Sequence, residues 1–92
     1  LERAVLSRAN LNSCNMQGTI MSKIRAINAN FAKVQAAKAM FTLGVLDGSN
    51  FEGASLSGAA FSGCQLVGCN FRNADLKVAI FQRSNMIGSD FS

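Results

Sequence analysis

The chain has 92 residues, carries 9 lysines and arginines against 5 acids, and has no histidine, for a formal net charge of +4. Nearly half of it is hydrophobic, yet it has no long apolar run and no basic-then-apolar opening, so neither a membrane span nor a signal peptide is read within it. Without histidine or a close carboxylate pair, general acid–base chemistry lacks its usual groups, and the three cysteines lack an imidazole to activate them.

From the first residue, one class of positions recurs every five: Leu1, Leu6, Leu11, Met16, Met21, Ala26, Phe31, Ala36, Phe41, Leu46, Phe51, Leu56, Phe61, Leu66, Phe71, Leu76, Phe81, Met86 and Phe91. Only two of these centres are small, and all seven phenylalanines belong to the class. The positions two residues earlier are mostly small, as at Ala4, Ala9, Cys14, Ala54, Ala59, Cys64 and Cys69. A period of five fits neither the 3.6 of a helix nor the 2.0 of a flat strand. It fits a short strand followed by a corner, with both members of each small–large pair pointing inward. Short repeats of this kind bury a face only by stacking, so the chain must coil on itself.

Leu1 to Gly18 reads as an ordinary first coil with polar outward residues such as Ser7, Asn12 and Gln17. The stretch from Thr19 to Leu46 is irregular. Ile24 and Val34 are large where the pattern wants small, and Ala26 and Ala36 are small at the neighbouring centres, which reads as a compensating exchange of volume. An amphipathic helix is the rival reading for residues 21–41, which are rich in alanine and lysine. The unbroken register of Phe31, Phe41 and Leu46 argues against it. From Leu46 to Ser92 the pattern is cleanest.

Phenylalanines recur every ten residues from Phe31 to Phe91, which selects four corners and a twenty-residue coil, hence four to five coils in all. Phe31, Phe51, Phe71 and Phe91 then stack on one side and Phe41, Phe61 and Phe81 on the opposite side. Seven of the eight glycines fall two after a centre, where a type II turn needs positive φ. Less regular corners are expected where Lys23, Lys33, Lys38, Leu43 or Val78 holds that place.

The motifs Ala9-Asn10-Leu11, Cys69-Asn70-Phe71, Ala74-Asp75-Leu76 and Ser89-Asp90-Phe91 resemble the pentapeptide-repeat family, whose consensus is A(D/N)LXX. The resemblance spans essentially the whole chain and implies an all-β solenoid, a right-handed quadrilateral β-helix. It leaves function open, because a fold does not dictate one. Some relatives act as DNA mimics that bind a topoisomerase through an acidic rod, which the basic charge here opposes. Others serve as recognition or scaffold domains in ubiquitin-ligase adaptors and secreted bacterial effectors. Residues 1–92 are expected to form one repeat domain, a portion of a longer chain.

Function is sought on positions that the core does not dictate. Asn10, Asn30, Asn50, Asn70 and Asp90 form one outward column, expected to bond to its own backbone or to adjacent rungs. The opposite column is apolar: Ile20, Met40, Ala60 and Ile80. Leu43, Val45, Ile27, Val67 and Ile87 extend it, and a stacked apolar patch of this kind marks a docking face. These eight large residues (Ile20, Ile27, Met40, Leu43, Val45, Val67, Ile80 and Ile87) are the candidate protein-binding set. Arg3, Lys23, Arg25, Lys33 and Lys38 are candidate anion-binding residues, but they fall on all sides of the coil rather than along one track. The phenylalanines point inward, so stacking platforms for single-stranded nucleic acid are missing.

Cys14, Cys64 and Cys69 all occupy the small inward class and read as buried thiols rather than metal ligands. Their odd number points to the cytoplasm or another reducing compartment, with delivery as a secreted effector left open. The sequence calls for no cofactor, no metal and no small-molecule site. It points to a non-catalytic protein-interaction or scaffold module whose partner is another protein, a second copy or flanking domains of the same chain. The alternatives are a basic recognition module for nucleic acid or an anionic surface, and a structural spacer.

Overall fold

A five-residue period has to be met by a backbone that bends at every repeat. The computed structural model, which describes residues 2–92, bends in that way throughout. Leu1, the first centre of the register, lies outside the described residues. Each repeat holds one bridged residue just before its centre, paired in parallel with the residue twenty further on, as in Asn10–Asn30, Asn30–Asn50, Asn50–Asn70 and Asn70–Asp90. Twenty residues are therefore one coil with four sides. The first side is centred on Leu6, Ala26, Leu46, Leu66 and Met86, and the second on Leu11, Phe31, Phe51, Phe71 and Phe91. The third is centred on Met16, Ala36, Leu56 and Leu76, and the fourth on Met21, Phe41, Phe61 and Phe81.

The backbone of each side bonds along the coil axis to the turns above and below. Around Phe41, the Met40 N–H donates to the Thr19 carbonyl at 2.9 Å, while the N–H groups of Phe41 and Leu43 donate to the carbonyls of Ala60 at 2.7 Å and Ser62 at 2.9 Å. The Gly44 N–H closes the corner onto the Phe41 carbonyl at 2.9 Å. This pattern repeats from side to side, so no flank of the coil presents an open strand edge.

At every corner from Arg3 to Gly88, the residue two after the centre has positive φ. The seven corner glycines lie between 65° and 73°, as a type II turn requires. The corners held by Lys23, Lys33, Lys38, Leu43 and Val78 are not irregular, contrary to the sequence expectation: their φ runs from 49° to 62°. Stacking overrides local preference here, because each corner must superpose on those of its neighbouring coils.

Phe31, Phe51, Phe71 and Phe91 form one internal ladder with ring centroids 4.7 to 4.9 Å apart and planes within 3° of parallel. Phe41, Phe61 and Phe81 form the facing ladder, spaced 4.9 and 5.1 Å. Rings of the two ladders meet edge to face at 5.7 to 6.0 Å. Both geometries suit the aromatic quadrupole, and together they fill a narrow interior.

The irregular stretch is coil like the rest, and no helix occurs among the described residues. Ile24, Ala26, Val34 and Ala36 are all fully buried, as a volume exchange requires. Gly44, the one glycine off the corner class, stands over Ile24. A Cβ there would lie 3.6 Å from the Ile24 Cγ1 and 2.9 Å from the Phe41 carbonyl oxygen.

Candidate functional site

The outward surface is set by the residue just before each centre. On the second side this residue is Asn or Asp, and its Oδ1 accepts a hydrogen bond from the N–H two residues on. The pairs are Asn10–Asn12 at 3.1 Å, Asn30–Ala32, Asn50–Glu52 and Asn70–Arg72 at 2.9 Å, and Asp90–Ser92 at 2.9 Å. These are Asx turns, which bond an amide that the coil itself leaves unpaired. The Asn30 amide also reaches Asn10 on the rung below at 3.4 Å. The asparagine column therefore serves the backbone. At its upper end, bonds from the Ser92 hydroxyl and N–H hold the Asp90 carboxyl below its ordinary pKa, with Arg72 3.7 Å away adding to the effect.

The fourth side does none of this. Ile20, Met40, Ala60 and Ile80 are bridged rung to rung into one column, and Ile20, Met40 and Ile80 are 53 %, 42 % and 45 % exposed. Beside them run Glu2, Ser22, Thr42, Ser62 and Gln82, one per coil, so the side carries one carboxylate, at its lower end. Leu43, also exposed, sits on the corner toward the first side. Its Cδ2 lies over Gly63, 2.7 Å from where a Cβ on that glycine would be.

The remaining apolar candidates are on the first side and are not gathered into one column. Val45 is half-buried and is separated from the exposed Val5 by Arg25 in the bridged column. Ile27 and Val67 are half-buried, and Asp47 stands between them at the intervening repeat, its Oδ1 accepting the Val67 N–H at 2.9 Å. Ile87 is exposed at the upper end.

The cations are dispersed. Lys33 stands on the corner between the second and third sides, Lys38 on the next corner, Arg3 and Lys23 on the corner between the fourth and first sides, and Arg25 on the first side. The stems of Lys33 and Lys38 lie over Gly53 and Gly58, with their Cγ atoms 3.5 and 3.4 Å from a Cβ placed there. A run of corner glycines in the third coil thus gives room to the side chains of the second. Sequence reading missed this because it compared glycines five apart and not residues twenty apart. Val78, which the sequence places at a corner, is 82 % exposed beside the fourth side with φ of 49°, where a β-branched residue is strained.

The thiols divide. The Cys64 Sγ donates to the Phe41 carbonyl at 2.9 Å and the Cys69 Sγ to the Leu46 carbonyl at 3.1 Å. Burial pushes both thiols up to a pKa of about 11. Ser49, Ser84 and Ser89 make the same bond from their hydroxyls, to the carbonyls of Ala26, Phe61 and Leu66. Cys14 corrects the sequence expectation: it is exposed, because its inward position in the first coil is covered on one side only. Among the described residues no cluster of cysteines and carboxylates could hold a metal, no pocket opens on the surface, and no helix is long and apolar enough to cross a membrane.

The chain belongs to the pentapeptide repeats family, eight copies of which match residues 1–25, 9–46, 44–73 and 54–92. Its fold is the right-handed quadrilateral β-helix of that family. It is similar to a pentapeptide repeat protein of the cyanobacterium Cyanothece 51142, with 24 % identity and a TM-score of 0.97 over 100 % of this chain and 63 % of that one. It is also similar to one from the Arabidopsis thaliana thylakoid lumen, with 22 % identity and a TM-score of 0.73 over 88 % of this chain and 63 % of that one. A plasmid-mediated fluoroquinolone resistance protein matches at 17 % identity and a TM-score of 0.70, over 97 % of this chain and 58 % of that one. At these identities the likeness is one of fold, and the chain spans less than two thirds of each of these proteins. No curated relative matches.

Proposed function

We propose that the chain is a non-catalytic interaction module that docks a protein partner through its fourth side. The observation that carries this reading is the column in which Ile20, Met40 and Ile80 are exposed around half-buried Ala60, on a flank where the coil has no structural use for apolar residues. The same backbone on the second side uses asparagine at the equivalent places to bond its own amides. An exposed apolar column costs solubility and stabilises nothing inside, so a surface role accounts for it. Leu43 extends the face at the corner. Val45, Ile27, Val67 and Ile87 on the first side are peripheral to it.

The test is site-specific photo-crosslinking in the native host. A photoreactive residue replaces Met40 or Ile80 on the fourth side, and Gln35 or Ser55 on the third side as controls. A discrete protein adduct at Met40 and Ile80, absent at Gln35 and Ser55, is the expected result. Adducts from the third side alone, or none from the fourth, would contradict the assignment. Retention of the chain by duplex DNA in a salt-sensitive manner would favour the basic-module alternative instead.

A further inference from the structure

The fourth side has a shape and a charge that narrow what can sit on it. At the third coil every outward residue of this side is small: Gly58, Ala60, Ser62 and Gly63. The neighbours are not. Met40 stands one rung below Ala60 and Ile80 one rung above. The Lys38 stem overlies Gly58 at one edge, and Leu43 overlies Gly63 at the other. Small outward residues at the third coil are thus flanked by larger ones on the rungs below and above and at both edges.

Two further observations restrict the occupant. The backbone groups of this flank bond along the coil axis, so a partner cannot add a strand here and must engage through side chains. Lys38 stands on one corner and Lys23 and Arg83 on the other, and the one carboxylate of this side, Glu2, lies at its lower end below Ser22. A second copy laid face to face by a two-fold axis would set cation against cation whichever way the axis runs, which favours a partner of opposite charge over self-pairing. Val78, 82 % exposed on the corner shared with Lys38, adds apolar surface beside the column.

We propose that the apolar column of this side receives the apolar stripe of an acidic amphipathic helix, whose flanking carboxylates meet Lys38 on one rim and Lys23 and Arg83 on the other. The inference rests on the docking role of the fourth side and adds the chemistry of the partner. The column from Ile20 to Ile80 spans three rungs, about 14 Å at the usual strand spacing, which about ten residues of helix would cover. Apolar residues at positions i, i+3 or i+4, and i+7 would then lie along it.

The test uses a displayed library of short helix-forming peptides of randomised charge, selected on the whole chain and on a bare matrix as control. Enriched peptides are then titrated against the chain and its variants. The proposal expects an apolar stripe flanked by Asp or Glu. It expects affinity to fall about tenfold for Met40→Asp and for the bulky Ala60→Trp in the same column. The rim reversal Lys38→Glu with Arg83→Glu should weaken binding about fivefold or more, and the interaction should weaken as salt rises. Circular dichroism on each variant separates lost binding from lost fold.

If the enriched peptides are basic or neutral, or if the rim reversal changes nothing while Met40→Asp still abolishes binding, the acidic partner is overturned and the docking face survives. If Met40→Asp and Ala60→Trp change nothing, or no peptide is enriched over the bare matrix, both readings fall. Sedimentation showing a dimer that Met40→Asp dissociates would replace the acidic helix with a second copy.

Discussion

The second and fourth sides of this coil share a backbone, a corner geometry and an aromatic ladder, and differ in what stands just before each centre. On the second side, Asn10, Asn30, Asn50, Asn70 and Asp90 each bond an amide two residues on, so the outward column is part of the fold. On the fourth side, Met40, Ala60 and Ile80 have no side-chain acceptor to offer the N–H groups of Thr42, Ser62 and Gln82. The difference shows where the molecule is free to vary. Inward positions and corners are fixed by stacking, while the residue before the centre can serve either the backbone or a partner.

The comparison assumes that both sides share one interior, and the largest expected effect tests that. Phe51→Ala on the second side and Phe61→Ala on the fourth should each cost about 3–5 kcal/mol in denaturant unfolding, because each opens a cavity inside a stacked ladder. A cost confined to one side would break the symmetry of the core.

The thiols report on the same interior. Cys64 and Cys69 titrate near 11 when folded instead of near 9, so folding favours their neutral form. The unfolded chain binds fewer protons than the folded one between those values, so their contribution is complete below pH 9 and is lost as pH rises toward 11. Replacing both with Ala should flatten the fall in melting temperature over that range. In an alkylation time course at pH 8, Cys14 should react first, and the other two only as the chain opens.

Corner substitutions come next. Gly48→Ala places a Cβ against the Asn28 Oδ1 at φ of 71°, whereas Gly68→Ala at 68° meets nothing within 4 Å. The second should show only the left-handed backbone cost, about 1–2 kcal/mol, and the first should exceed it. Equal costs would mean that Asn28 rotates away freely.

The smallest effects separate the two outward columns. Asn50→Ala loses the bond to the Glu52 N–H and should destabilise by about 1 kcal/mol. Met40→Ala should change stability by about 0.5 kcal/mol or less, since it removes surface rather than structure. A reversed order in denaturant midpoints would place the apolar column among the elements that hold the fold.

Much of the architecture was legible in the sequence because its repeat is arithmetic. Positions five apart gave the inward class, and phenylalanines ten apart gave the two ladders that Phe31 to Phe91 and Phe41 to Phe81 form. Other features lie at a separation of twenty, where a residue meets its neighbour on the next coil. Gly44 over Ile24 and Leu43 over Gly63 are unremarkable in the linear text and follow only once coils are superposed. Cys14 shows a second limit: an inward phase gives burial only where coils lie on both sides. Val78 shows a third: the register places it at a corner, but that its turn stays regular follows only from stacking.

The most direct test of the division between the two sides is to give the fourth the column of the second. In the variant Met40→Asn, Ala60→Asn and Ile80→Asn, each new amide can bond the N–H of Thr42, Ser62 or Gln82. The denaturant midpoint should then stay level or rise while crosslinking to the partner disappears. A loss of about 2 kcal/mol or more in stability, with the partner still bound, would contradict the account.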